Sequence, residues 1–366
     1  MSSTESVLDP QRLEELSGKV MGDVSGAMGV MMAYLGDQTG IYKCMERIGS
    51  SSIDQIASES GLLPRYVQEF LAANTALGYV TFDADSDTYS ISPEQAAIFA
   101  REGEPTCMQG FFQAVVGQYE TYETAVDVFK TGRGRPWGEH STCCFVGTDR
   151  FFRPGYEANL LSTWIPAMEG VQGKLETGGK IDDIACGHGS STILMAKKFP
   201  NSVVHGFDFH GPSIESAKAK AELEGLDNIE FFEASAKSLP DNSYDFACIF
   251  DALHDMGDPV GAAEHIRTIL NEEGTFMLVE PPAGDSLPEN MNPLGSIFYS
   301  FSTLVCVPTS LAQEVGLGLG AQAGEQRLTN VLKEAGLGRI RRVEEATLSL
   351  IHISEPTRRY AISYAV

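Results

Sequence analysis

The sequence predicts an α/β protein with a Rossmann-like, mainly parallel sheet in its C-terminal half and a winged-helix domain at its N-terminus. From Lys180 onward, short apolar runs alternate with helical patterns, which is typical of a doubly wound sheet. Earlier in the chain, a helix-turn-helix pattern precedes two short runs around a polar turn. The 366 residues exceed the size at which one core usually stops growing, so we expect two domains.

Caps and turns define the N-terminal domain, which we assign to residues 1–104. Ser52 and Gln55 form a capping box, and Pro64 opens the following helix, where its missing N–H is tolerated. The segment YVTFDADSDTYSIS predicts the hairpin of the wing. The predicted helices span residues 10–34, 41–48, 53–60 and 64–77.

The predicted parallel sheet is assigned to residues 176–347, after a helical, aromatic-rich bridging segment at 105–175. Helices between its strands begin near Ser190, Ser213, Pro259 and Glu325. The predicted strands are Lys180–Ala185, Val203–Asp208, Ile229–Glu233, Tyr244–Asp251, Thr275–Glu280 and Gly338–Glu344.

Composition disfavours several classes of partner. With 50 acidic and 26 basic residues the formal net charge is -24, which repels nucleic acid and anionic membranes. The seven cysteines form no CxxC pair, so neither a disulfide framework nor a metal site is indicated. We find no apolar run of about 20 residues that would span a membrane. We therefore predict a cytoplasmic protein.

A two-glycine turn follows the first strand of the predicted sheet. The sequence DDIACGHGSST places Gly187 and Gly189 between that strand and a helix, where unpaired N–H groups favour an anionic ligand group. A nicotinamide-binding motif needs a third glycine at the position that Thr192 occupies. Asp183 lies within the strand, and Asp208 closes the next one.

These motifs resemble those of class I S-adenosylmethionine-dependent methyltransferases, in particular a bacterial small-molecule group with an N-terminal winged helix. The resemblance includes GTDRFFRPGYEANL, CGHGSSTILMAKKFPNS and LHDMGDPVGAA. It implies S-adenosyl-L-methionine as cofactor, a small-molecule methyl acceptor and a homodimer. One departure is Ala185, where the family often has glycine.

The resemblance also assigns roles to residues around the turn. It implies that the Cys186–Gly189 loop, with His188, cradles the methionine part of the cofactor and that Asp183 faces its ammonium group. Asp208 would bind both ribose hydroxyls. The remaining residues that we assign to the cofactor site are Phe209, Ser235, Ala236 and Asp251.

The fourth strand ends in FDALHDMGDP, which places His254 and Asp255 just beyond its carboxyl end, where open α/β sheets bind ligands. In similar methyltransferases the histidine acts as general base on a hydroxyl, while in many others it only packs over the cofactor. A histidine titrating near neutrality is suited to accepting such a proton. We predict a catalytic role for His254 and an orienting role for Asp255.

Two segments are expected to cover the substrate. The bridging segment offers Trp137, His140, Tyr156 and Trp164 as a substrate pocket. The insertion at residues 281–320 is rich in Met, Phe, Tyr and Leu, and its apolar surface fits either a lid or a dimer contact.

The last nineteen residues, 348–366, resemble translated sequencing-adapter read-through, because LSLIHISEPTR and ISYAV match two adapter segments. We expect this tail to be non-native, although the alternation at Leu348, Leu350 and His352 could also form a strand.

The expected function is methyl transfer to a small, partly apolar metabolite, with an ionisable hydroxyl as the methylated group. The alternative is a transcriptional regulator whose winged helix binds DNA and whose second domain senses S-adenosylmethionine. Residues 1–104 contain sixteen acidic and six basic residues, and the helix that would enter a major groove offers only Arg65, which disfavours DNA binding.

Overall fold

The computed structural model describes residues 8–240, 243–343 and 350–356, the last of these by its backbone. The chain forms two compact units. The first contains residues up to Tyr119 and Val146–Phe151, and the second contains Glu120–Phe145 and the chain from Phe152. The predicted bridging segment at 105–175 is therefore divided between the two units.

The first unit has the expected winged-helix elements. The Ser52–Gln55 capping box is present, and Pro64 occupies the first turn of its helix, as predicted. Helices α1–α5 surround a core that includes Tyr42, Ile56 and Leu71. The elements are α1 Pro10–Thr39, α2 Ile41–Ile48, α3 Ile53–Ser60, α4 Pro64–Ala76, β1 Thr81–Asp83, β2 Thr88–Ser90 and α5 Pro93–Phe99.

Three further helices belong to the segment predicted as a bridge: α6 Gln109–Glu120, α7 Tyr122–Thr131 and α8 Thr142–Asn159. Within the first unit, α6 and α8 approach so closely that a Cβ on Gly147 would lie 2.4 Å from the Ala114 backbone nitrogen. This contact explains why Val146–Phe151 packs with the first unit.

The second unit contains a seven-stranded sheet with the order β5-β4-β3-β6-β7-β9-β8. The five strands β5 to β7 in this order pair in parallel, which confirms the predicted Rossmann-like sheet. The strands are β3 Lys180–Ile184, β4 Val203–Asp208, β5 Ile229–Glu233, β6 Tyr244–Phe250, β7 Leu270–Glu280, β8 Leu337–Val343 and β9 Leu350–Pro356.

Both faces of this sheet are covered. Alternate strand residues point to opposite faces, and they belong to two different hydrophobic clusters. One cluster contains Phe207 and Leu278, and the other contains Val204 and Met277. The helices of the second unit that follow α8 are α9 Val171–Thr177, α10 Ser190–Lys198, α11 Gly211–Leu223, α12 Pro259–Ile269, α13 Pro293–Phe301, α14 Val307–Leu311 and α15 Gly324–Glu334.

The tail expected to be non-native is partly described. Its residues 350–356 form β9, antiparallel between β7 and β8. Backbone N–H and C=O groups make this pairing. Residues 348–349 and 357–366 lie outside the described residues, and the adapter origin of the tail stays a prediction.

One helix is long and apolar enough to cross a membrane, although the sequence analysis predicts no apolar run of that length. A π-helical segment, Ser302–Cys306, joins α13 to α14 and gives a helix from Pro293 to Leu311. An 18-residue window of this 19-residue helix has a mean hydropathy of 1.4, and 39% of that window is buried inside the protein. By length and composition it could cross a membrane, but core helices meet the same criterion, so this is weak evidence.

Asp182 is a buried carboxyl group in the centre of the sheet. Its side chain is fully buried in β3, and neither oxygen has a hydrogen-bond partner among the described residues. Burial, followed by the charge of Asp183, raises the pKa of Asp182 well above its ordinary value. Asp182 is therefore protonated in the folded protein at a pH where the unfolded chain ionises it.

We predict that Asp182→Leu, which keeps the branching of the side chain, raises the free energy of unfolding at neutral pH by roughly 1–3 kcal/mol. The native protein loses stability as the pH rises from about 4 toward the raised pKa of Asp182, and the variant lacks this loss. Denaturant unfolding at several pH values measures both effects.

The control is Asp245→Asn. Burial tends to raise the pKa of Asp245, but hydrogen bonds from the Lys180 N–H and Asn271 and the charge of Lys174 lower it overall. This control should therefore be less stable than the native protein. A less stable Asp182→Leu variant at neutral pH would refute our account of Asp182.

Candidate active site

The carboxyl ends of β3, β4, β6 and β7 meet at one edge of the sheet. The chain continues from β3 to β4 on one side, while β6 lies on the other side of β3. Ligands of open α/β folds bind in the crevice that forms at such a switch point. The polar residues predicted from the sequence lie around this edge.

The loop after β3 has an unusual backbone. Ala185, Gly187 and Gly189 all have left-handed conformations, with φ of +58°, +53° and +76°. A Cβ on Gly189 would lie 2.8 Å from the Phe231 ring, so this position requires glycine. Around Gly187 a Cβ would meet nothing within 4 Å, so the loop leaves open space there.

Asp208 connects this loop to the end of β4. Its Oδ2 accepts a hydrogen bond from the Gly187 N–H at 2.9 Å, and its Oδ1 accepts one from the His210 N–H at 2.8 Å. Burial raises the pKa of Asp208, although both hydrogen bonds oppose the shift. Each oxygen retains capacity for a further donor.

The structure does not support direct contact between Asp183 and a cofactor ammonium group. Its side chain is fully buried, and Oδ2 accepts hydrogen bonds from Ser191 and Thr192, both at 2.6 Å. Burial raises its pKa to about 6. Asp183 instead fixes the first turn of α10 below the loop.

The other residues assigned to the cofactor border the same loop. Cys186 is buried, and its N–H donates to the Phe207 carbonyl. Phe209 is 48% exposed next to Asp208. The turn with Ser235 and Ala236 begins beside Asp208, because the Ala234 N–H donates to the Asp208 carbonyl at 3.0 Å. His188 is half-buried within the loop.

A buried histidine–glutamate pair lies at the ends of β6 and β7. His254 belongs to a 3₁₀ turn, Leu253–Asp255, and its Nδ1 forms a short hydrogen bond with Glu280 Oε2. Glu280 Oε1 accepts a second hydrogen bond from the Leu253 N–H at 2.9 Å. The side chains of His254 and Glu280 are 3% and 2% exposed, so the pair is shielded from water.

Two more acidic residues and a thiol surround His254. Asp255 Oδ1 lies 3.3 Å from His254 Nε2, and the Cys306 thiol lies beside both side chains. Asp251 follows β6 with a left-handed φ of +53°, a strained conformation for aspartate. Burial raises the pKa of Asp251 to about 7.

The charges around His254 determine its protonation. Burial alone would lower the pKa of His254, but the negative charges of Glu280 and Asp255 raise it well above its ordinary value. Burial raises the pKa of Asp255 as well, while His254 opposes that shift. The imidazole is therefore a stronger proton acceptor than a free histidine.

Aromatic side chains lie between the part of the crevice beside Asp208 and the part beside His254. The Phe145 ring lies 4.7 Å from the ring of His210, whose N–H binds Asp208, and 5.2 Å from Trp137. Trp137 packs against the cluster that contains Cys306. The predicted roof residue Trp137 thus lies between the Asp208 end and the His254 end.

His140 has a structural role, contrary to the prediction that it lines the substrate pocket. Its side chain is buried, with Nδ1 3.2 Å from the Arg135 guanidinium and Nε2 3.0 Å from Thr309 Oγ1. Burial, and then the charge of Arg135, lower the pKa of His140 to about 3. Both ring nitrogens are thus engaged within the fold.

The two other predicted pocket residues also differ in their surroundings. Trp164 is buried in the core cluster with Phe250, and the two ring centroids lie 6.1 Å apart. Tyr156 is half-buried, and its ring lies 5.1 Å from Phe250, the residue before Asp251. Both rings therefore lie beside the residue that precedes Asp251, with Trp164 the more deeply buried of the two.

The sequence analysis missed Glu280 and Cys306. Glu280 ends the apolar run TFMLVE, and an ionisable residue in such a run is a signal that could have been used. Cys306 lies in a long apolar helix, and no spacing pattern links it to His254.

Comparison with known protein families gives two matches. Residues 175–336 match a family model described as a methyltransferase domain. Residues 26–101 match a model described as an Rv2258c-like winged HTH domain. The winged HTH match lies within the expected domain 1–104. The methyltransferase match begins at residue 175, one residue before the expected domain 176–347.

Curated relatives match only part of the chain. A demethylmenaquinone methyltransferase of Thermus thermophilus is 31% identical over 110 residues, which cover 29% of this chain and 50% of the relative. One from Lactococcus lactis is 33% identical over 107 residues, covering 28% and 42%. The chain therefore spans half or less of the length of these relatives.

Solved structures share the fold along nearly the whole chain. Human N-acetylserotonin methyltransferase in complex with SAM has a TM-score of 0.71 at 15% identity, covering 98% of this chain and all of that one. The mitomycin 7-O-methyltransferase MmcR has a TM-score of 0.67 at 14% identity, covering 94% and 99%. A putative O-methyltransferase from Nostoc punctiforme has a TM-score of 0.70 at 15% identity, covering 96% and 100%.

We predict that Ala185→Gly raises the free energy of unfolding by about 1 kcal/mol, because glycine adopts the left-handed φ of this position without steric cost. Thermal or denaturant unfolding measures the change. The control is Ala312→Gly, since Ala312 has an ordinary φ of -83° and glycine should destabilise it. Equal losses in both variants would contradict the assigned strain.

Proposed function

We propose that this chain, which combines a class I methyltransferase domain with an N-terminal winged-helix domain, transfers a methyl group from S-adenosylmethionine to a small, partly apolar metabolite at an ionisable hydroxyl. One observation carries the proposal: the two-glycine loop with Asp208 and the buried His254–Glu280 pair lie at the same sheet edge. A cofactor site and a proton acceptor are thereby brought together.

The residues of the loop fit the cofactor. Gly187 leaves open space at the loop, and the Asp208 oxygens retain acceptor capacity that suits ribose hydroxyls. The buried carboxylates of the edge favour a cationic ligand such as a sulfonium. We assign Cys186, Gly187, His188, Gly189, Asp208, Phe209, Ser235, Ala236 and Asp251 to this site, with Asp183 as a support for the loop.

The residues around the crevice would position the acceptor and exclude water. S-adenosylmethionine, when bound, supplies a methyl group on a positively charged sulfur. The chain must then hold a nucleophilic oxygen about 3–3.5 Å from that methyl carbon. Trp137 and Phe145 supply an apolar cover for the acceptor, and Tyr156 lies at the Asp251 end.

His254 would take the proton of the acceptor hydroxyl. Glu280 engages Nδ1, which leaves Nε2 as the nitrogen available to accept a proton. The charges of Glu280 and Asp255 raise the pKa of His254, so the imidazole is a stronger base that accepts the proton at a pH above that raised pKa. Asp255 acts as an orienting neighbour of Nε2.

The hydroxyl as acceptor group is supported by the names of the structural neighbours, several of which are O-methyltransferases. An apolar acceptor is supported by the aromatic cover of the crevice. These features support a small metabolite as the acceptor.

The alternative function as a DNA-binding regulator has little support in the first unit. Arg65, the basic residue of α4, is ion-paired with Glu69. The acidic excess of residues 1–104 would also repel phosphates. A salt-dependent mobility shift of duplex DNA by the full chain would favour the regulator.

A homodimer and a cytoplasmic location remain our proposals. The N-terminal half of α1 supports an association, because its apolar side chains are exposed and a contiguous exposed apolar surface commonly marks an interface. These residues are Leu13, Leu16, Val20, Met21, Val24 and Met28.

We predict that His254→Ala lowers kcat by roughly 10²–10⁴-fold with an apolar phenolic acceptor, because the proton acceptor is lost. Binding of S-adenosylhomocysteine, measured by calorimetry, should be unchanged. His265→Ala is the matched control, since the His265 Nε2 contacts only the Leu239 carbonyl among the described residues. Full activity of His254→Ala would exclude a catalytic role for this histidine.

We also predict that Glu280→Gln moves the acidic limb of the kcat/KM profile to lower pH. Removing the Glu280 charge lowers the pKa of His254, so the imidazole is deprotonated at lower pH and is a weaker base. The pH dependence of kcat/KM measures the shift. A profile that coincides with that of the native protein would contradict the assigned coupling.

A further inference from the structure

We propose that His254, Asp255 and Cys306 form a site for a divalent cation of the zinc class. The ligand atoms of these three side chains all lie within 4.8 Å of one another. The inference rests on the proposed function, because it concerns the same histidine. His254 and Asp255 are far from Cys306 in the sequence, so the site matches no short metal-binding motif.

Glu280 orients His254 as in known carboxylate–histidine–metal arrangements. In metal sites, the ring nitrogen that does not bind the ion almost always donates its N–H to a carboxylate or carbonyl. Glu280 binds Nδ1 of His254 and is itself held by the Leu253 N–H. The Nε2 nitrogen is thereby directed to Asp255 and Cys306.

The distance between Nε2 and the Asp255 carboxylate fits metal ligation better than direct hydrogen bonding. These atoms are 3.3 Å apart, whereas a charge-assisted hydrogen bond spans about 2.7–2.9 Å. Two ligands of a tetrahedral ion with bonds of about 2.0–2.1 Å are separated by about 3.3 Å. The observed spacing therefore matches one edge of a tetrahedral zinc site.

Asp255 Oδ1 gives an independent reason for a ligand at this point. The atom is buried and accepts no hydrogen bond from any residue that the structure describes. A buried carboxylate oxygen without a donor is costly, and a cation would satisfy it. The second possible group, Asp251 with His254 and Glu280, is less suitable, because His254 and Glu280 already contact each other directly.

The ligand types select the class of ion. A thiolate, an imidazole and a carboxylate suit zinc, while magnesium and calcium prefer oxygen ligands alone. Three protein ligands leave a fourth position, as in catalytic zinc sites. An acceptor oxygen bound there would lose its proton more readily, so in the metal-bound chain the ion would activate the hydroxyl in place of His254 Nε2, which would then be a ligand.

The experiment uses Co²⁺ as a spectroscopic substitute for zinc on the full chain, purified under reducing conditions and freed of metal with a chelator. We expect one equivalent of Co²⁺ to bind and to give a thiolate-to-cobalt charge-transfer band. Cys306→Ser should lose that band. Glu280→Gln should bind Co²⁺ about 10–100-fold more weakly, because the orienting carboxylate is lost.

Cys144→Ser is the matched control, since Cys144 is buried in the same hydrophobic cluster as Cys306 but lies outside the ligand group. It should retain the band. Absence of stoichiometric Co²⁺ binding to the native chain, or a band that persists in Cys306→Ser, would overturn the inference. Calorimetry with S-adenosylhomocysteine on the same preparation tests the proposed function separately, because Asp208 and the glycine loop are distinct from the three ligands.

Discussion

The central constraint on this structure is a concentration of carboxylates at one water-poor edge of the sheet. Asp183 lies within β3, one residue before its end, and Asp208, Asp251, Asp255 and Glu280 end or follow strands that meet there. Burial raises the pKa of the four aspartates. Charged groups in such surroundings need hydrogen bonds, protons or a cation. The arrangement of the crevice follows from how each carboxylate meets that need.

Three of these carboxylates are satisfied within the fold, and in each case the partner shapes the site. Asp183 binds hydroxyl groups of α10, and Asp208 binds backbone N–H groups on either side of the cofactor loop. Glu280 binds His254 and so determines which imidazole nitrogen is available. Asp255 Oδ1 has no hydrogen-bond partner among the described residues and retains the need for a proton or a cation, which links proton transfer to the proposed metal site.

The helices and strands, and the residues that follow each strand, could be predicted from the sequence. The apolar periodicity that identifies an element, and the residue at which a strand ends, can be seen in a short stretch of chain. This local information placed Asp208 and His254 at the sheet edge where the structure has them, while their roles stay predictions. The roles of Asp183 and His140 could not be predicted, because they depend on partners that only the folded chain brings close. Glu280 was missed for the same reason, since its partner His254 lies 26 positions away.

The most direct test is a crystal structure of the full chain with S-adenosylhomocysteine. Our account predicts that the ribose hydroxyls bind Asp208, that the loop at Gly187 contacts the amino-acid part, and that the sulfur faces the side of the crevice that holds His254. A ligand bound away from this sheet edge, or a loop closed against it, would contradict the account.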